Sequence, residues 1–190
     1  MFISYNEACA RDCSTLEQDL VLCEKAGFDY IEIRLDMLTD YLKRHTVEEL
    51  AAFFCTSRLK PHAFNALYLY PEFLSEGDDE ARQKELLEEF RLGCEVGRAI
   101  GSHYFIIVPP LQRDPAGGPY TGSWEDTFSN CVRILKELSR RAEPYDMNLC
   151  FELVGFERSS VRSIGQADAV VRAVDRPNVG FVFDSYNIFL

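Results

Sequence analysis

Histidine is scarce in this chain, with three in 190 residues, too few for a histidine-rich multi-zinc site. Basic residues are outnumbered, 20 against 31 acidic, which leaves a net charge of −11. A surface of that sign disfavours a large nucleic-acid footprint or attachment to an anionic membrane. No apolar run exceeds strand length, so no transmembrane helix is expected. The opening Met1-Phe2-Ile3-Ser4-Tyr5-Asn6-Glu7 has no basic region leading into a long apolar stretch, so no signal peptide is expected. G-x-G-x-x-G and P-loop sequences are absent, which disfavours nucleotide binding. The seven cysteines are odd in number and contain no C-x-x-C pair. Buried or partly buried thiols in a reducing cytosol are expected, rather than a disulfide framework.

What is present is an alternation of short β-prone runs with amphipathic segments. Phe2 to Tyr5 reads as a strand, with Asn6 and Glu7 at its C-terminal end. Ser14 with Glu17 three residues on has the form of a capping box opening a helix. Tyr30 to Asp36 alternates, with Ile31, Ile33 and Leu35 on one face and Glu32, Arg34 and Asp36 on the other. A solvated outer face would read the same way. Between two helices, however, the apolar face should meet the helices and the charged face should point inward. Thr46 opens the next helix, and His62 to Tyr68 reads as a strand containing Asn65. A long helix over 80–100 leads to a strand from His103 to Val108. The Gly- and Pro-rich stretch from Leu111 to Gly122 has loop composition and a length often associated with ligand contact. Ser123 or its neighbours open a further helix, in which Trp124 is expected to pack rather than act as a lid. His62 and His103 stand near the starts of their strands, and structural roles are expected for both.

Two strands carry the chemistry. Asn148 to Val154 is apolar apart from its ends and holds one ionisable residue, Glu152, near its C-terminus. After a helix over 164–174, the run from Val179 to Asp184 repeats the design and closes on Asp184. A carboxylate is costly to bury unless it is paired or bound to a cation. Two at matching places on successive strands suggest a shared divalent-cation site for Mn, Mg, Co or Zn. Strand starts roughly thirty residues apart fit βαβ units with right-handed crossovers. The expected fold is therefore α/β, about six parallel strands with alternating helices. It is either a doubly wound sheet or an incomplete (β/α) TIM barrel, in which side chains at strand C-termini line the site.

Phe151-Glu152-Leu153-Val154, together with the segment from Arg176 to Asn187 (RPNVGFVFDSYN), resembles the xylose isomerase-like TIM-barrel superfamily. Ala26-Gly27-Phe28-Asp29-Tyr30-Ile31-Glu32 is similar to that group's entry into its second strand. The closest flavour is the sugar phosphate isomerase/epimerase group of inositol catabolism. The resemblance implies one domain over 1–190 that lacks its last two βα units. It makes Glu152 and Asp184 metal ligands, and Glu152 also the proton carrier. Glu32, Arg34, Asn65 and Asn187 become candidate substrate-binding residues. The family's remaining ligands, a histidine after a seventh strand and a glutamate after an eighth, have no counterpart here. Many relatives carry a histidine three residues after this aspartate, and Asn187 lacks its basic nitrogen.

The implied reaction is metal-dependent isomerisation or epimerisation of a sugar or keto-polyol by proton transfer through an enediolate. An inosose dehydratase-like lyase and a non-catalytic partial barrel are the alternatives. The expected setting is cytoplasmic, with a small-molecule sugar or polyol as partner and neither nucleic acid nor membrane. An open six-stranded sheet also leaves two edges for a second copy or a complementing chain.

Overall fold

The computed structural model describes residues 1–10, 13–112 and 117–189. Six strands form one parallel sheet in chain order: β1 Ser4–Asn6, β2 Tyr30–Arg34, β3 Lys60–Tyr68, β4 Tyr104–Val108, β5 Asn148–Glu152 and β6 Val179–Val182. Between them run α1 Leu16–Ala26, α2 Leu35–Tyr41, α3 Val47–Thr56, α4 Glu80–Ile100, α5 Trp124–Ala142 and α6 Ile164–Val174. A short α7, Ser185–Ile188, follows β6. Strand order equal to chain order, with every pair parallel, is the arrangement of a (β/α) barrel wall rather than of a doubly wound sheet, whose order reverses at a switch point.

The strands bury one face against the helices. Ile31, Ile33, Phe64, Leu67, Phe105, Ile107, Leu149 and Phe151 lie in one continuous core with Leu20, Leu50, Phe90, Leu135 and Val170 from the helices. Each such side chain removed from water contributes about 1.5–3 kcal/mol. The other sheet face holds a smaller apolar cluster of Ala63, Ala66, Ile106, Val108 and Val154. Small residues there leave room for polar side chains near the strand C-termini. Glycine sets how closely α4 approaches the sheet: a Cβ at Gly93 would stand 2.4 Å from the Phe105 ring.

Several expectations shift by a few residues. The α1 cap is Thr15 with Gln18, not Ser14 with Glu17, because Ser14 instead gives its hydroxyl to Asp19 Oδ2 at 2.9 Å. Strand β2 ends at Arg34, so Asp36 leaves the alternating face and sits exposed in α2. The last strand ends at Val182, and Asp184 caps α7, accepting the Tyr186 amide at 2.9 Å. All seven cysteines are free; Cys9, Cys13 and Cys55 are exposed rather than buried.

Trp124 packs beside Phe128 against the core, as expected. His62 stands at the sheet's N-terminal end between the Tyr30 and Tyr104 rings. Residues 113–116 of the long loop lie outside the described residues. Its flanks are tied to the β5–α6 loop by the Gln112 amide on Arg158 O and the Tyr120 amide on Glu157 O. No described helix is long and apolar enough to cross a membrane. Strands β1 and β6 lie at the sheet edges, with Phe2, Phe181, Phe183, Tyr186 and Phe189 exposed around them.

Candidate functional site at the strand C-termini

Parallel strands bring their C-terminal residues to one mouth, and the register decides which of them meet. Asn6 pairs with Glu32, and Arg34 with Asn65, across β1, β2 and β3. Glu32 Oε1 accepts from two side-chain amides, Asn6 Nδ2 at 2.6 Å and Asn65 Nδ2 at 2.7 Å. Three adjacent strands therefore contribute to one polar cluster. Asn6 was not among the residues singled out from the sequence. The available signal was its place at the end of the first strand; its amide contact with Glu32 is set by register alone.

On the opposite side of the sheet, Glu152 pairs with Val182, which places Asp184 one step beyond. The turn into α7 returns Asn187 to both acids. Its Nδ2 donates to Glu152 Oε1 at 3.1 Å and to Asp184 Oδ2 at 2.9 Å. Asn187 is 9% exposed, and its two contacts are partly buried.

The two clusters share one electrostatic space. Burial pushes the Glu152 carboxyl up to about 7, and the negative charges of Asp184 and Glu32 push the same way against the Asn187 amide. Burial also raises Glu32, opposed by the Asn65 amide and His62 and reinforced by Asp184. A carboxyl poised near neutrality can both take and return a proton.

Arg34, the last residue of β2, is held by Asp36. Its Nε donates to Asp36 Oδ1 at 2.9 Å and its Nη2 pairs with Asp36 Oδ2. The guanidinium holds the Asp36 carboxyl below its usual range. It lines a neighbouring cleft of about 780 Å³ together with Asn65, Tyr70, Arg82, Gln112 and Arg158. Glu152 and Asp184 do not line that cleft. Among the described residues β6 is the outer strand on this side, and Phe183 is 63% exposed beside them.

The donor set fits a divalent cation in part. Two carboxylates converge on one point, and the amide hydrogens of Asn187 occupy it as a cation would. Among the described residues no group of three His, Cys, Asp or Glu side chains could hold a metal ion. Glu152 and Asp184 thus make an incomplete set, with Glu32 outside it.

A model of the xylose isomerase-like TIM barrel matches residues 20–190, and the chain belongs to that family. Among curated proteins it is similar to the inosose isomerases of Bacillus velezensis, 39% identical over 188 residues, and of Halalkalibacterium halodurans, 38% identical. The alignments cover 98% of this chain and 63% of each relative, so the chain spans less than two thirds of the proteins it matches. Among solved structures, a crystal structure of the IOLI protein with a bound zinc atom superposes with a TM-score of 0.84 at 38% identity, covering 98% of this chain and 64% of that one. A D-psicose 3-epimerase superposes at 0.73 with 16% identity over 98% of this chain and 64% of that one; that likeness is one of fold.

Proposed function

We propose that this domain serves a divalent-metal-dependent isomerase or epimerase acting on a keto-polyol of the inosose type or a related sugar. The single observation carrying the reading is the convergence of Glu152 and Asp184 on Asn187 Nδ2 at one end of a parallel sheet. Its support comes from the inosose isomerase relatives and the zinc-bearing neighbour.

In this reading Glu152 and Asp184 are ligands from one half of the site. Two further βα units, in a longer chain or in a second chain docked on the edges of β1 and β6, supply the rest. When bound, the cation polarises the substrate carbonyl and stabilises charge on its oxygen. Glu152 takes the proton from the hydroxyl-bearing carbon beside that carbonyl and returns it to the former carbonyl carbon, while the hydroxyl proton passes to the former carbonyl oxygen, so that the enediolate resolves to the isomer. Asn6, Glu32 and Asn65 offer a fixed row of donors and an acceptor to substrate hydroxyls, and Arg34 lines the cleft beside them. Asn187 holds the two acids together. Free thiols are consistent with a reducing, cytoplasmic setting.

The test is incorporation of deuterium next to the carbonyl when the protein is incubated with an inosose in D₂O and Mn²⁺. Incorporation by the wild type that Glu152→Gln abolishes is the expected result. Equal incorporation by both, or none by a complete barrel carrying these residues, overturns it.

A further inference from the structure

A second carboxyl pair lies outside the candidate site, in the turn that follows β1. Glu7 is fully buried. Its Oε2 accepts the backbone amide of Arg34, at the end of β2, at 2.8 Å. Its Oε1 is also buried and meets no hydrogen-bond donor among the described residues. The group facing it is another acid, Asp19 in the first turn of α1, 3% exposed. Asp19 Oδ2 already accepts the Ser14 hydroxyl.

The remaining ionisable neighbours do not neutralise the pair. Tyr5 on β1, Cys9 on the turn and Cys23 on α1 are neutral when protonated and negative otherwise. Among the described residues Arg34 is the cation that acts on Glu7, and its guanidinium is engaged by Asp36. Two ionised carboxylates side by side in the interior repel each other and lose their hydration. One proton between them removes a charge and gives Glu7 Oε1 its partner.

We propose that Glu7 and Asp19 share a single proton at neutral pH, and that this carboxyl pair is a positioning device for the C-terminal ends of β1 and β2. Asn6, the neighbour of Glu7, donates to Glu32, and Glu7 itself anchors the Arg34 backbone. The pair therefore sets the spacing of two strand ends that carry candidate substrate contacts. It does so whether or not the proposed reaction holds.

Burial is the largest influence on Glu7 and pushes it up to about 8; the Arg34 amide opposes this and Asp19 reinforces it. Burial raises Asp19 as well. An acid raised on folding stabilises the protein fully below its ordinary value of 4.5 and loses that contribution as pH rises to about 8.

The experiment compares the wild type with Glu7→Gln by denaturant unfolding from pH 5 to pH 9. Glutamine reproduces the protonated acid, with an oxygen for the Arg34 amide and an N–H for Asp19. The unfolding constant of the wild type relative to Glu7→Gln should rise about tenfold per pH unit within that window, then level off. Asp19→Asn supplies the same comparison should the first variant not fold. In NMR the Arg34 backbone amide should titrate with a midpoint near 8 in the wild type and stay fixed in Glu7→Gln. Glu7→Ala should shift the Asn6 side-chain amide signals at pH 6, where Glu7→Gln leaves them in place. Parallel unfolding curves overturn the shared proton, and unmoved Asn6 signals in Glu7→Ala overturn the positioning role.

Discussion

Asn187 Nδ2 lies 3.1 Å from Glu152 Oε1 while also donating to Asp184 at 2.9 Å. One amide thus separates two acids whose charges would otherwise meet at short range. Asp184 supplies both the acceptor and, by capping α7, the turn that delivers the donor.

Replacing Asn187 with alanine removes that donor from an interior position. Hydrogen bonds to charged groups contribute about 1.5–3 kcal/mol, so Asn187→Ala should lose stability of that order in metal-free buffer. On the proposed reading added Mn²⁺ takes the place of the amide between the acids and should recover part of it. Urea denaturation with and without Mn²⁺ measures both. An equal loss under both conditions would separate Asn187 from the cation site.

Protonation of Glu152 must compete with any cation held there. Its raised value of about 7 means the carboxyl sheds its proton across neutrality, so affinity for Mn²⁺ or Co²⁺ should climb between pH 6 and pH 8. Isothermal titration at these two pH values reads the change, along with proton release on binding. Glu152→Gln and Asp184→Asn should each weaken binding. Equal binding by the wild type and both variants would remove the site.

Gly93→Ala sets two effects against each other. Alanine is favoured over glycine within a helix by about 1 kcal/mol. Here the added methyl would sit 2.4 Å from the Phe105 ring, itself wedged between Phe64 and Phe90. Overpacking of this kind costs about 1–3 kcal/mol, so the clash should win and the melting temperature should fall. A rise would mean that α4 slides outward freely.

The exposed edge of β6 should associate. Gly180 is exposed on that edge, with open space around its Cβ position. Lysine at an edge opposes strand addition. Gly180→Lys should therefore reduce concentration-dependent association in analytical ultracentrifugation while leaving the melting temperature within a few degrees. Identical sedimentation of the two proteins would place the contact elsewhere.

Much of this architecture was legible in the residues. Runs such as Tyr104–Val108 and the amphipathic period of Ile164–Val174 encode strand and helix locally, and Gly101 and Ser123 mark ends through their own backbone and hydroxyl chemistry. The acids at the ends of the last two strands could be singled out because a charge closing an apolar run is costly without a partner. Boundaries were less legible. At Arg34 the chain passes into α2 with no side-chain cap to mark the boundary, and beyond Val182 Asp184 caps a helix of only four residues.

Length, composition and period alone determined an alternating α/β chain with carboxylates at strand ends, because those signals lie within a few neighbouring residues. Only the tertiary structure decided which polar groups meet. Asn6 reaches Glu32 through strand register, Arg34 pairs with Asp36, Asn187 joins two acids across a turn, and Glu7 meets Asp19 of α1. The reason is geometric: hydrogen bonds act over about 3 Å, and Asn6 and Glu32, like Glu152 and Asn187, are separated in sequence by βα units that folding must first bring together.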